Sequence, residues 1–182
     1  MGQTKQIAVI VGSLRKESIN RKVAQGLMQL APASLSMELI EIGQLPLYNQ
    51  DYDDDSPDAY VDFRNKIAAS DAVLFVTPEH NRSMPAAMKN AVDIGSRPYG
   101  KSVWNAKPGA IISASPSLQG AYGATQHLRQ SLTCLNIYCM PNPETYLSQA
   151  DKLFDPAGEM TETGKALLRR FIEAYASWVQ RF

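Results

Sequence analysis

The chain has only two cysteines, Cys134 and Cys139, in 182 residues, too few for a disulfide framework. Their C-x4-C spacing fits neither a redox C-x-x-C pair nor a four-ligand zinc site, and an iron–sulfur cluster needs about four thiolates. Packing as small apolar residues is the expectation for both. Net charge is also missing: 18 basic residues balance 18 acidic ones, so no global field advertises nucleic acid or an anionic membrane as partner. No apolar run approaches the roughly 18 residues of a membrane span, and the N-terminus lacks the order of a signal peptide, so a soluble cytoplasmic protein is expected. Repeats and low-complexity linkers are absent as well, and the length suits one domain over 1–182. The acidic stretch Asp51-Tyr52-Asp53-Asp54-Asp55 lacks the Gly and Glu of a calcium loop, with Ser56 and Asp62 in those places. Those carboxylates read instead as solvated groups near the start of a helix at Pro57.

What is present is an alternation of apolar runs and helical periodicities. Strands are expected at Ile7–Val11, Met37–Ile42, Asp71–Thr77, around Ala110-Ile111-Ile112 within 107–115, and at Ile137–Met140. Helices are expected at Asn20–Leu30, from Pro57 with Tyr60, Phe63 and Ile67 inward, and after Pro85 with Met88, Ala91 and Val92 inward. Two more are expected at Ala124–Leu135 and Thr163–Phe182, the last carrying Leu168, Phe171, Ile172, Tyr175, Trp178 and Val179 on one face. Ser83 is available to cap the third helix. Strands alternating with helices imply a doubly wound parallel sheet covered on both faces, with a ligand crevice beyond the carboxyl ends of the strands. The loops after strands one, three and four converge there.

The first of these loops, Gly12-Ser13-Leu14-Arg15-Lys16-Glu17-Ser18-Ile19-Asn20, reads as an anion cradle. A strand ending in Gly and a Ser/Asn-rich loop opening a helix leave backbone N–H groups free, with hydroxyls beside them and the helix dipole behind them. The competing reading is that Ser18 or Asn20 simply caps the helix. One Gly stands where the dinucleotide fingerprint G-x-G-x-x-G needs three, and no G-K-[ST] follows, so a single terminal phosphate is favoured over a pyrophosphate.

Together with Thr77-Pro78-Glu79-His80-Asn81-Arg82-Ser83-Met84-Pro85, this loop resembles the NADPH-dependent FMN reductases of flavodoxin-like fold, a group that includes chromate, quinone and azo-dye reductases. The similarity continues through Met88-Lys89-Asn90-Ala91-Val92-Asp93, Ser113-Ala114-Ser115 and Gln126-His127-Leu128-Arg129-Gln130. The resemblance implies a three-layer α/β/α domain with a five-stranded parallel sheet in the order 2-1-3-4-5. It further implies that Ser13, Arg15, Ser18, Ile19 and Asn20 hold the FMN phosphate. Pro78, Glu79, His80, Asn81 and Arg82 would border the isoalloxazine ring, and Ser115 would approach it from the third loop. Asn81 offers a donor and an acceptor to a pyrimidine edge, and amides from Glu79 to Arg82 suit negative charge near N1. The family usually has Tyr where His80 stands, which adds a group able to titrate near neutral pH. His127 is expected to serve packing or a subunit interface, and the loop from Ser115 to Gly120 is less Gly-rich than in the family.

The resemblance implies an oxidoreductase that passes a hydride from NADPH or NADH through FMN N5 to quinones, chromate, azo compounds or free flavin in ping-pong fashion. The flavin carries the chemistry, so no side chain is assigned as a catalytic nucleophile or acid, and no metal is expected. A homodimer or homotetramer is implied as well. A flavodoxin-type electron carrier is the alternative, for which strong acidity and a T-x-T-G loop would speak; a receiver domain would need an Asp where Thr77 and Pro78 stand.

Overall fold

The computed structural model describes residues 3–182 and places five α-helices around one parallel sheet. The strands are β1 (Lys5–Val11), β2 (Leu35–Ile40), β3 (Ala72–Thr77), β4 (Pro108–Ala114), β5 (Tyr138–Cys139) and β6 (Thr145–Leu147), in the order β2-β1-β3-β4-β5 with β6 also on β4. This is the flavodoxin-like α/β order. Every residue of β3 and β4 is buried, and their apolar side chains alternate between two cores. Val9, Leu74 and Ile112 face one side; Ile10, Phe75 and Ile111 face the other. Burial on both faces is why these strands read as nearly continuous apolar runs.

Helices α1 (Ile19–Leu30) and α5 (Glu162–Val179) cover the first face, and α2 (Asp58–Ala69), α3 (Ala86–Gly95) and α4 (Tyr122–Cys134) cover the second. On α5 the expected stripe packs inward. Tyr175 is fully buried and its hydroxyl donates to Val73 O at 2.8 Å, while the Trp178 Nε1 donates to Tyr138 O at 2.9 Å. The helix is capped by Thr161, whose Oγ1 accepts from Gly164 N at 3.2 Å.

The fifth strand position departs from expectation. Instead of one strand at Ile137–Met140, two short segments share the edge of β4: Tyr138 and Cys139 register with Pro108 and Gly109, and Thr145–Leu147 with Ile112–Ala114. The gap contains Pro141 and Pro143, which have no N–H to continue a ladder. The long loop between β2 and α2 is pinned rather than loose. Asn90 of α3 accepts from Tyr48 N at 2.8 Å and donates to Pro46 O at 2.9 Å. The Asp53 carboxylate pairs with Arg97 at 2.8 Å and accepts from the Tyr48 hydroxyl at 3.2 Å.

Candidate active site

Beyond the carboxyl ends of β1, β3 and β4 lies a crevice of about 150 Å³ lined by Ser13, Arg15, Ile19, Asn20, Pro78, Glu79, His80, Ala114, Ser115 and Pro116. The three loops singled out in the sequence therefore meet. Two lining residues, Ala114 and Pro116, were not among the expected ones; their place beside Ser115 was the signal for both.

At the first loop, Ser18 is both buried and the N-cap of α1, its Oγ accepting from Arg21 N at 3.1 Å. The capping reading thus holds for Ser18, and it leaves the hydroxyl proton free to donate. Among the described residues, the N–H groups of Ile19 and Asn20 have no acceptor, as the first turn of a helix dictates. Asn20 is not a cap. Its Nδ2 donates to Ala114 O at 3.1 Å, across to the end of β4, and its buried Oδ1 has no partner. An unpartnered buried acceptor is costly and calls for a donor. Arg15 is exposed and, among the described residues, has no ion-pair partner. Arg21 is instead held by Glu41 through two contacts of 2.7 Å. That hydrogen bond raises the guanidinium pKa against the opposing effect of burial.

The second loop is a tight hairpin. His80 and Ser83 exchange backbone hydrogen bonds of 2.9 Å, and the central residues Asn81 and Arg82 both have left-handed backbones, with φ of 50° and 65°. Two consequences bear on the expected contacts of this loop. The His80 N–H is engaged within the hairpin and is not available to a ligand, so of the amides expected from Glu79 to Arg82 this one drops out. Asn81 and Arg82 sit at the exposed tip and do not line the crevice. Ser83 does not cap α3 either: Pro85 is the N-cap residue, with no side-chain cap. The Ser83 Oγ lies 3.0 Å from His127 Nδ1 instead.

In the third loop, Ser115 Oγ lies 2.9 Å from Ser117 Oγ and accepts from Ser117 N at 3.0 Å, a local turn that draws it away from a purely ligand-facing role. Backbone bonds from Ser115 N to Leu147 O and from Ala150 N to Ser115 O tie this loop to the end of β6. The unexpected sixth strand therefore supports the crevice.

Residues 6–152 match the model of the NADPH-dependent FMN reductase family. The chain belongs to that family. It is 52% identical over 181 residues to a quinone reductase of Pseudomonas putida, covering 99% of this chain and 97% of the relative. It is 46% identical over 176 residues to a 2-hydroxy-1,4-benzoquinone reductase of a Burkholderia species, covering 96% of each. Among solved structures, FerB, a flavoenzyme NAD(P)H:(acceptor) oxidoreductase from Paracoccus denitrificans, superposes with a TM-score of 0.90 at 39% identity over 97% of this chain and 98% of that one. The chain is thus an NAD(P)H-dependent enzyme of the FMN reductase and quinone reductase family, with FMN as cofactor. The crevice fits that cofactor chemically. Free amides, serine hydroxyls and a free guanidinium suit a phosphate monoester, and the orphaned Asn20 Oδ1 suits a donor such as a hydroxyl of the chain that links the phosphate to the ring.

Proposed function

We propose that the crevice at the ends of β1, β3 and β4 holds FMN, with its phosphate on the Ser13–Asn20 loop, and that quinones are the principal electron acceptors. The observation carrying this reading is the first turn of α1: Ile19 and Asn20, which line the crevice, carry two unpaired amides and the orphaned Asn20 Oδ1, and the Ser18 hydroxyl stands next to them at the N-cap. When bound there, FMN supplies a ring that takes a hydride from NAD(P)H and returns the electrons to an acceptor. The protein's part is to bind and orient. Arg15, exposed and unpaired, faces an anion without having to leave another partner. Asn20 receives a ligand hydroxyl at Oδ1 while Nδ2 fixes the amide to Ala114 O. The Pro78–Ser83 hairpin, stiffened by its two backbone bonds, gives the ring a rigid edge, with His80 on the rim of the crevice.

Donor and acceptor would then use the bound cofactor in turn, a ping-pong order. The reading extends to chromate, azo compounds and free flavin as further acceptors. A homodimer or homotetramer is part of it, supported by a groove of about 590 Å³ between α3 and α4 whose lining includes Met84, Val92 and Leu135. A cytoplasmic location agrees with NAD(P)H as donor. The test is steady-state kinetics of the FMN-loaded protein with NADPH or NADH and a benzoquinone. Parallel double-reciprocal lines are expected; intersecting lines would overturn the ping-pong order, and turnover no faster than that of free FMN would favour an electron carrier.

A further inference from the structure

The Glu79 carboxylate does not point into the crevice alone. It bridges two other elements: one oxygen accepts from Arg82 Nη1 at 3.1 Å, and the other accepts from Ala124 N, in the first turn of α4, at 3.1 Å. The N-cap of helix α4 is Ala121, a residue with a left-handed backbone and no side chain able to cap. The cap comes instead from Glu79, 45 residues earlier, and an anion is favourable at that end of the helix dipole. The approach is close enough to dictate the neighbouring residue. A Cβ at Gly123 would lie 2.9 Å from Arg82 O and 3.0 Å from the same Glu79 oxygen, so a side chain there would push the hairpin away.

The hairpin needs such support. Left-handed backbone at two successive non-glycine residues is unfavourable, especially for Arg82, and surrounding contacts must hold it. The Glu79 bond to the Arg82 side chain acts on the strained residue itself. One turn further along α4, His127 meets Ser83 at 3.0 Å, so both ends of the hairpin are tied to the same helix.

We propose that Glu79 is a positioning residue: its carboxylate clamps the hairpin from His80 to Ser83 onto the N-terminus of α4 and thereby fixes the edge presented to the flavin. The inference rests on the reading of the crevice as the FMN site. Glu79 lines the crevice, but both of its side-chain hydrogen bonds go to the protein, to Arg82 and to Ala124 N.

The test compares the wild-type protein with Glu79→Ala, Glu79→Gln and Gly123→Ala, reading FMN dissociation constants by flavin fluorescence and amide hydrogen exchange of the flavin-free proteins. In Glu79→Ala, exchange at Ala124 and Ser83 should speed up without FMN present. Its FMN dissociation constant should rise by about tenfold or more, the loss carried by one charge-assisted hydrogen bond. Glu79→Gln keeps an acceptor for Ala124 N and should recover part of both losses. Gly123→Ala leaves the carboxylate in place, displaces the hairpin, and should weaken FMN binding similarly. It carries the test if Glu79→Ala does not fold. Unchanged FMN affinity in a folded Glu79→Ala, or in Gly123→Ala, overturns the clamp, whatever the exchange rates. If the wild-type protein itself bound no FMN, the site reading would fail first, and the exchange data would still decide whether Glu79 holds the hairpin to α4.

Discussion

Ser18 has two roles that substitution can separate. As N-cap of α1 it accepts from Arg21 N at 3.1 Å; in the proposed site it also faces the FMN phosphate. Ser18→Ala removes the cap and should destabilise the flavin-free protein by about 1 kcal/mol, within the 0.5–2 kcal/mol range of cap deletions. For a chain of this length that lowers the melting temperature by roughly 2–4 °C. Ser18→Asp keeps a good cap and adds a carboxylate at the positive end of the helix dipole, so the flavin-free protein should be as stable as wild type or slightly more so. The same carboxylate meets a phosphate near two negative charges. At ~5 Å the repulsion is about 1.7 kcal/mol in a water-like dielectric and about 6.6 kcal/mol in that of a protein surface. FMN affinity should therefore fall by at least about 15-fold. The assay pairs thermal melts of the flavin-free proteins with fluorescence titration of FMN. A Ser18→Asp protein that melts normally and binds FMN with wild-type affinity would refute the phosphate role and leave Ser18 as a cap alone.

Three further outcomes follow from the packing and titration of other residues. In Gly95→Ala the new Cβ would lie 2.4 Å from the ring of Trp104, which is fully buried against Phe63 and Phe75 and bonded to Val92 O. Overpacking of about 1–3 kcal/mol exceeds the helix-propensity gain of about 1 kcal/mol, so the melting temperature should drop with a change in tryptophan fluorescence; an unchanged melt would contradict the fit. Burial pushes the Cys139 thiol up to about 11 against the weaker pull of Arg129, whereas Cys134 is exposed. Iodoacetamide at pH 8 should therefore label Cys134 alone in the native protein, as read by mass spectrometry, and equal labelling of Cys139 would count against its burial. The Glu41 carboxyl is held below its ordinary 4.5 by the hydrogen bond from Arg21, with burial opposing. Its contribution is present above pH 4.5 and lost as pH falls through the lowered value. Because Glu41 is exposed, Glu41→Gln should cost only about 0.2–1 kcal/mol at pH 7 and nothing once the carboxylate is protonated. A difference that persists once acid has protonated the carboxylate would contradict the pairing.

Features governed by local pattern were legible before the fold was seen. The strands β1, β3 and β4 announced themselves because both their faces are buried, and α5 because one face is. The start of α1 was legible from Ser18, whose capping partner is only three residues away. What escaped depends on partners distant in sequence. Asn20 is anchored by Ala114, 94 residues on, while its amide oxygen is left without a partner. Ser83 is drawn to His127, 44 residues on, rather than to the α3 N-terminus. Glu79 finds its second partner on α4. The split fifth strand was the exception: Pro141 and Pro143 were visible signals that no continuous ladder could pass.

The central claim, that the loops after β1, β3 and β4 hold an FMN that NAD(P)H reduces, is tested most directly by the visible spectrum of the FMN-reconstituted protein without oxygen. Addition of NADPH or NADH should bleach the absorbance of oxidised protein-bound flavin, and a quinone should restore it. A protein that takes up no FMN, or whose bound flavin neither nicotinamide bleaches, would contradict it.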